Sequence, residues 1–97
     1  MANKLHSIIT DDMEHCLICG HYEVAIHHVF YGTSNRKMSD QYALIVPLCE
    51  RHHTGAEGVH RFRGTDLKLK QMGQQAFEDH YGSREVFIRT FGRNYLD

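Results

Sequence analysis

The run Ala25-Ile26-His27-His28-Val29-Phe30 decides how this chain is read. It is short, apolar and rich in β-branched and aromatic residues, so the segment from Glu23 to Phe30 is expected to be a strand. A strand turns neighbouring side chains to opposite faces, which gives His27 and His28 different surroundings and different work. One can bind a metal ion while the other acts on a water molecule.

Metal-binding patterns lie on both sides of this pair. Upstream, Cys16-Leu17-Ile18-Cys19 is followed by Gly20, a residue that permits the tight turn of a metal knuckle. Downstream, Cys49-Glu50-Arg51-His52-His53 forms a second, C-x-x-H knuckle. Two such knuckles supply Cys16, Cys19, Cys49 and His52, a ligand set that suits a structural, tetrahedral Zn²⁺. His53 is the alternative fourth ligand, but the C-x-x-H spacing favours His52 and leaves His53 free. With His52 assigned to zinc, His27, His28, His53 and His60 remain as a second group.

Composition agrees with a metalloprotein. Nine histidines and three cysteines are many for 97 residues, and a chain this short buries only a modest core, a deficit that a structural metal often offsets. An odd number of cysteines, two of them in a C-x-x-C, favours metal over disulfides and a reducing compartment. The longest apolar run, Ala43 to Leu48, is strand-sized, so no membrane span is expected. The N-terminus has no apolar signal core, which points away from secretion and toward the cytoplasm. Net charge is −1, so no global basic character advertises nucleic acid. Between residues 27 and 70, however, basic side chains outnumber acidic ones, which allows a local phosphate-binding face.

The expected organisation is a loose N-terminal lead-in over residues 1–13, then one domain from 14 to 97. Gly32 to Lys37 reads as a polar loop, and Tyr42 to Val46 as a second strand that Pro47 stops. A short or broken helix follows Cys49, weakened by Gly55 and Gly58. A longer helix is expected from Thr65 to Tyr81, capped by Thr65 or Asp66, with Leu69, Met72, Ala76 and Phe77 on its buried face. Ser83 caps a last helix that aligns Val86, Phe87, Thr90 and Phe91 and ends at Gly92. The class is α+β.

The order Cys16-x-x-Cys19, His27-His28, a second strand, then Leu48-Cys49-x-x-His52-His53 resembles the HNH endonuclease motif. Further strings resemble one branch of that family, the phage RecA-dependent recombination enhancement function nucleases. They are His27-His28-Val29-Phe30, Val46-Pro47-Leu48-Cys49, Gly58-Val59-His60, Leu67-Lys68-Leu69-Lys70-Gln71 and Phe91-Gly92-Arg93-Asn94-Tyr95-Leu96. The resemblance covers most of the chain, from about Cys16 to Leu96. It implies a small zinc-stapled ββα-metal finger with two C-terminal helices, DNA as substrate, a RecA filament as partner, and the cytoplasm of a bacterial host. It also implies roles. His28 matches the general base; His27 and His53 match ligands of a catalytic divalent ion, with His60 a further ligand. The middle Asn of the motif should fall near Tyr42, Ala43 and Leu44, where this chain departs from the pattern. Asn35 in the preceding loop is a candidate DNA contact or ribbon tether.

Phosphodiester hydrolysis needs an activated water, charge relief on the phosphate and a stabilised leaving oxygen. A neutral histidine with a pKa of ~6.5 can serve as base near neutral pH. An imidazole ligand set suits Zn²⁺, Ni²⁺ or Mn²⁺ better than Mg²⁺, although the family resemblance keeps Mg²⁺ in the set. Arg36, Lys37, Arg61 and Arg63 are the candidates for phosphate contacts. The competing reading is a zinc-stabilised nucleic-acid-binding module without catalysis. A zinc deaminase is a third reading, but Leu48 and His52 break the signature it requires.

Overall fold

In a computed structural model, residues 6–32, 34–55 and 58–96 are described. The first five residues of the expected lead-in lie outside them. Two strands, β1 (Ala25–His28) and β2 (Ile45–Leu48), pair antiparallel. The register sets Ala25 against Leu48, Ile26 against Pro47, His27 against Val46 and His28 against Ile45. Both strands are shorter or later than expected, and Pro47 lies within β2 rather than ending it. A two-stranded sheet explains this: each strand has an open edge, so a residue with no N–H to donate is tolerated. The Pro47 carbonyl is used, accepting from the Leu17 N–H at 2.9 Å.

The polar segment between the strands is not all loop. Gly32, at φ +101, turns the chain into helix α1 (Asn35–Gln41). This helix is fastened by Ser39, whose Oγ accepts from the Phe30 N–H (3.1 Å) and donates to the Phe30 carbonyl (2.7 Å). Asn35 ties the same helix to the C-terminal part of the chain, donating from Nδ2 to the Phe91 carbonyl at 3.4 Å. Composition hid the helix because it depends on these distant anchors rather than on an apolar stripe. Ala43, at φ 59, makes the turn into β2.

After β2 comes a single turn, α2 (Glu50–His53), then α3 (Arg63–His80) and α4 (Arg84–Phe91). Helix α3 begins two residues before the expected start, with Phe62 at its N-cap and no side-chain cap there, so neither Thr65 nor Asp66 fills that role. Its buried residues are Leu69, Gly73, Gln74 and Phe77, whereas Met72 is exposed and Ala76 half-buried. Gln74 is fully buried because its amide is satisfied. Nε2 donates to Glu78 (2.8 Å) and Asn94 (2.7 Å), and Oε1 accepts from the Tyr95 N–H (2.7 Å). Helix α4 follows expectation at both ends: Ser83 Oγ accepts from the Val86 N–H, and Gly92 closes it in the left-handed conformation. Only Phe87 and Phe91 of its expected face are buried.

The centre of the core lies where α3 and α4 meet Val29 and Phe30, just past the end of β1. Phe30 is its centre, with ring centroids 4.6 Å from Phe91, 5.2 Å from Phe87 and 5.5 Å from Tyr95. The N-terminal segment is held more closely than its mixed sequence suggests. Ile8 donates to the Ala43 carbonyl at 3.0 Å, and Ile8 and Ile9 pack against the core. The result is a small α+β fold, and no described helix is long and apolar enough to cross a membrane.

Candidate metal centres and the histidine cleft

The two knuckles meet. The Gly20 N–H returns to the Cys16 carbonyl at 2.8 Å, which folds the first knuckle back on itself, and Gly20 takes the positive φ (+82) that the turn requires. Cys49 precedes α2, and its carbonyl accepts from the N–H groups of His52 (3.1 Å) and His53 (2.9 Å). One ligand atom from each of Cys16, Cys19, Cys49 and His52 lies within 4.8 Å of the others. Cys19 Sγ is 3.6 Å from Cys49 Sγ, and His52 Nδ1 is 3.3 Å from Cys49 Sγ and 3.9 Å from Cys16 Sγ.

These separations can be set against a known shape. Thiolates at ~2.3 Å and an imidazole nitrogen at ~2.0 Å from a tetrahedral zinc sit about 3.5–3.8 Å from one another. The observed edges bracket that range, so this Cys₃His group can hold a metal such as zinc. Burial raises the Cys16 thiol pKa, but backbone N–H groups of Cys49, Cys19 and Ile18 and the Cys49 thiol outweigh it and bring it down to about 6. The site therefore favours a thiolate at Cys16 near neutral pH, the form that binds metal.

The second group takes the next residue of α2, His53, with His27 and His60. His27 is 2% exposed, and its Nε2 is a buried ring nitrogen with no hydrogen-bond partner. Its ring centroid is 5.2 Å from His53 and 5.6 Å from His60, and the latter two are 5.6 Å apart. Ring nitrogens of the three lie within 4.8 Å of one another. Burial, with the nearby His53 and His60, pushes the His27 pKa down to about 3, and His53 is lowered by burial and then by His60 and His28. His27 and His53 therefore favour the neutral state, which offers lone pairs to a cation. A buried nitrogen that lacks a partner fits the same ligand.

His27 and His28 differ in burial, as the strand pattern requires, yet both border one cleft of about 220 Å³. His28 is the last residue of β1, where the strict alternation of a strand no longer constrains the ring. Ile26, Tyr31, Arg36, His53 and His60 complete the lining. Among the expected phosphate contacts, Arg36 thus reaches the cleft from α1, while Lys37, Arg61 and Arg63 are exposed on the surface. The Asn35 amide nitrogen is turned inward, to Phe91.

Four residues of this neighbourhood lie outside the site expected from the sequence. Tyr31 packs its ring against His60 (5.1 Å) and His27 (5.9 Å). Its hydroxyl donates to Asp66 at 3.1 Å, and Lys70 pairs with the same carboxylate oxygen at 2.9 Å. Lys70 Nζ also stands 4.4 Å from the centre of the Tyr31 ring, so α3 braces the cleft wall through a cation, a carboxylate and a phenol. The fourth is Asp40 of α1, whose Oδ1 is 2.8 Å from His28 Nε2. Helical i, i+4 spacing of Lys70 from Asp66 and of Asp40 from Arg36 is a signal that could have found these three; Tyr31 has none.

The chain yields no match when compared with protein-family models, with curated proteins and with solved structures.

Proposed function

We propose that this chain is a metal-dependent DNA endonuclease of the HNH type, with a structural zinc and one catalytic divalent ion. The observation that carries the reading is the cleft itself: three imidazoles close enough to share one ion, with a fourth histidine, His28, in the same lining. The order β1, β2, α2 agrees with a ββα-metal finger in which α1 is an insertion between the strands. Cys16, Cys19, Cys49 and His52 would hold the zinc, and His27, His53 and His60 the catalytic ion.

The chemistry follows from these positions. An ion bound by the three imidazoles, Mg²⁺, Mn²⁺, Ni²⁺ or Zn²⁺, supplies charge relief on the phosphate and on the departing oxygen. His28 takes a proton from a water molecule, which attacks phosphorus as the bond to the 3′ oxygen breaks. Arg36, which lines the cleft, would meet a phosphate oxygen, and the exposed Lys37, Arg61 and Arg63 would hold flanking phosphates. The buried His27, poor at carrying charge, stays a ligand, while the half-buried His28 has the access a base needs. A phage or prophage origin, a place in recombination within a bacterial cytoplasm and a RecA filament as partner belong to this proposal through the sequence resemblance.

The test is nicking of supercoiled plasmid and circular single-stranded DNA with each metal or with EDTA, with and without RecA filaments. His28→Ala is expected to lower turnover by ~10²–10⁴-fold while retaining both metals. Absence of cutting under every condition, or a variant that cuts like the wild type, refutes the assignment. The alternative is a non-catalytic zinc-stabilised nucleic-acid-binding module. It is favoured by Arg61-Phe62-Arg63, whose three side chains are all exposed. It requires DNA binding that survives His28→Ala and no cutting by the wild type.

A further inference from the structure

Helix α1 interrupts the two strands, and its placement is fixed from both ends. Ser39, fully buried, exchanges two hydrogen bonds with the Phe30 backbone, and Asn35 reaches Phe91. On a helix so held, residues four apart share a face. Arg36 and Asp40 are such a pair: Arg36 lines the histidine cleft, and Asp40 meets His28, which lines it too.

The Asp40 contact is short, 2.8 Å from Oδ1 to His28 Nε2, yet the carboxylate side chain is 66% exposed against 16% for the imidazole. An ion pair with one partner so open to water contributes little to folding. Stability is therefore a weak explanation for it. Its chemical effect on the ring is larger. An ionised carboxylate has only acceptors, so the neutral imidazole beside it must carry its proton on Nε2. Nδ1 is then left with its lone pair, which is the state a base requires. The same bond stops rotation of a ring that sits at the unconstrained end of β1.

We propose that Asp40 is the positioning residue of His28, holding its ring orientation and its Nε2–H tautomer from an inserted helix. The proposal rests on His28 being the base. Helix α1 then brings two groups to the reaction on one face, Arg36 toward the phosphate and Asp40 toward the base. It also supplies a polar partner for the base where the chain has Tyr42, Ala43 and Leu44 instead of an asparagine.

The experiment compares full-length wild type and Asp40→Ala, both zinc-loaded, by plasmid-nicking kinetics with Mn²⁺ and by long-range ¹H–¹⁵N NMR of the His28 ring. The expected result is a kcat lowered about 10–100-fold with KM within about two-fold, since the loss falls on the transition state. Zinc content and Mn²⁺ affinity stay unchanged. The Nε2–H form dominates in the wild type, and the variant shows a mixture of tautomers. A variant kcat within about two-fold of wild type overturns the proposal, as does a loss accompanied by weaker metal binding. So does a wild-type His28 protonated on Nδ1. If the wild type cuts nothing, the nuclease reading fails on its own, and the NMR result still decides whether Asp40 holds the His28 tautomer.

Discussion

Replacing Gly73 by alanine separates packing from helix propensity at the junction between α3 and the strand that carries the histidine pair. A Cβ built at Gly73 meets Phe30 Cε2 at 2.9 Å, Phe30 Cζ at 3.2 Å and Val29 Cγ1 at 3.2 Å. Neither neighbour has room to give. Both are fully buried, and the Phe30 ring is enclosed by Phe87, Phe91 and Tyr95. Alanine favours a helix interior over glycine by ~1 kcal/mol. Forcing a methyl into a filled core costs about 1–3 kcal/mol. With both buried neighbours fixed the steric effect should win, leaving a net destabilisation of up to about 2 kcal/mol, or a Tm lower by up to about 16 °C for a domain of this size. Gly64 is the control. It lies in the first turn of the same helix with nothing within 4 Å of its added Cβ, so Gly64→Ala should gain up to ~1 kcal/mol. Urea unfolding of the zinc-loaded proteins measures both, and a real packing effect moves the midpoint without changing the slope. If Gly73→Ala is as stable as wild type, or shifts in the same direction as Gly64→Ala, α3 does not approach Val29 and Phe30 as described.

Cys16→Ser should abolish tight zinc binding and with it the fold, because in such sites metal-binding free energy is folding free energy. Metal analysis and circular dichroism check this, and a wild type that is zinc-free yet fully folded refutes it. His27 makes stability depend on pH. Its folded pKa, about 3, lies below the ordinary value of 6.5, so the unfolded chain binds the proton more readily. The stabilisation is complete above pH ~6.5 and lost progressively as pH falls toward ~3, at ~1.4 kcal/mol per unit, or about 2 kcal/mol by pH 5. With no ion at the histidine cluster, the urea midpoint of wild type should fall more steeply between pH 7 and 5 than that of His27→Gln; parallel slopes refute the assignment.

The parts of this molecule legible in the sequence are those set by local geometry. A C-x-x-C followed by glycine folds back on itself whatever surrounds it, and the capped ends of α4 need only Ser83 and Gly92. What stayed hidden depends on partners far along the chain. Helix α1 reads as a polar loop because Ser39 and Asn35 hold it through Phe30 and Phe91. Apolar periodicity finds Leu69 and Phe77 on the buried face of α3 but not its other half, a glycine used for close approach and a glutamine satisfied by three partners. Asp40 escaped notice for the same reason: its bond to His28 spans twelve positions and exists only once α1 forms.

The adjacency of His52 and His53 carries more weight than their spacing alone suggests. Helix α2 is one turn of four residues, none of them buried. A helix that short has no stability of its own, since nucleation costs more than one turn returns. It must be held from outside, and the holding points are specific. Its own bonds run from the His52 and His53 N–H groups to the Cys49 carbonyl at its N-cap, and from outside the His52 carbonyl receives the Val59 N–H at 2.9 Å, next to His60. Consecutive helical residues point about 100° apart, so one turn sends His52 to the cysteine cluster and His53 to the histidine cluster. Register fixes the other side: His27 lies opposite Val46, three residues before Cys49. A metal bound by Cys16, Cys19, Cys49 and His52 would therefore do more than staple a small core. It would fix the orientation of the one turn from which His53 faces His27, and so set the geometry of the second cluster.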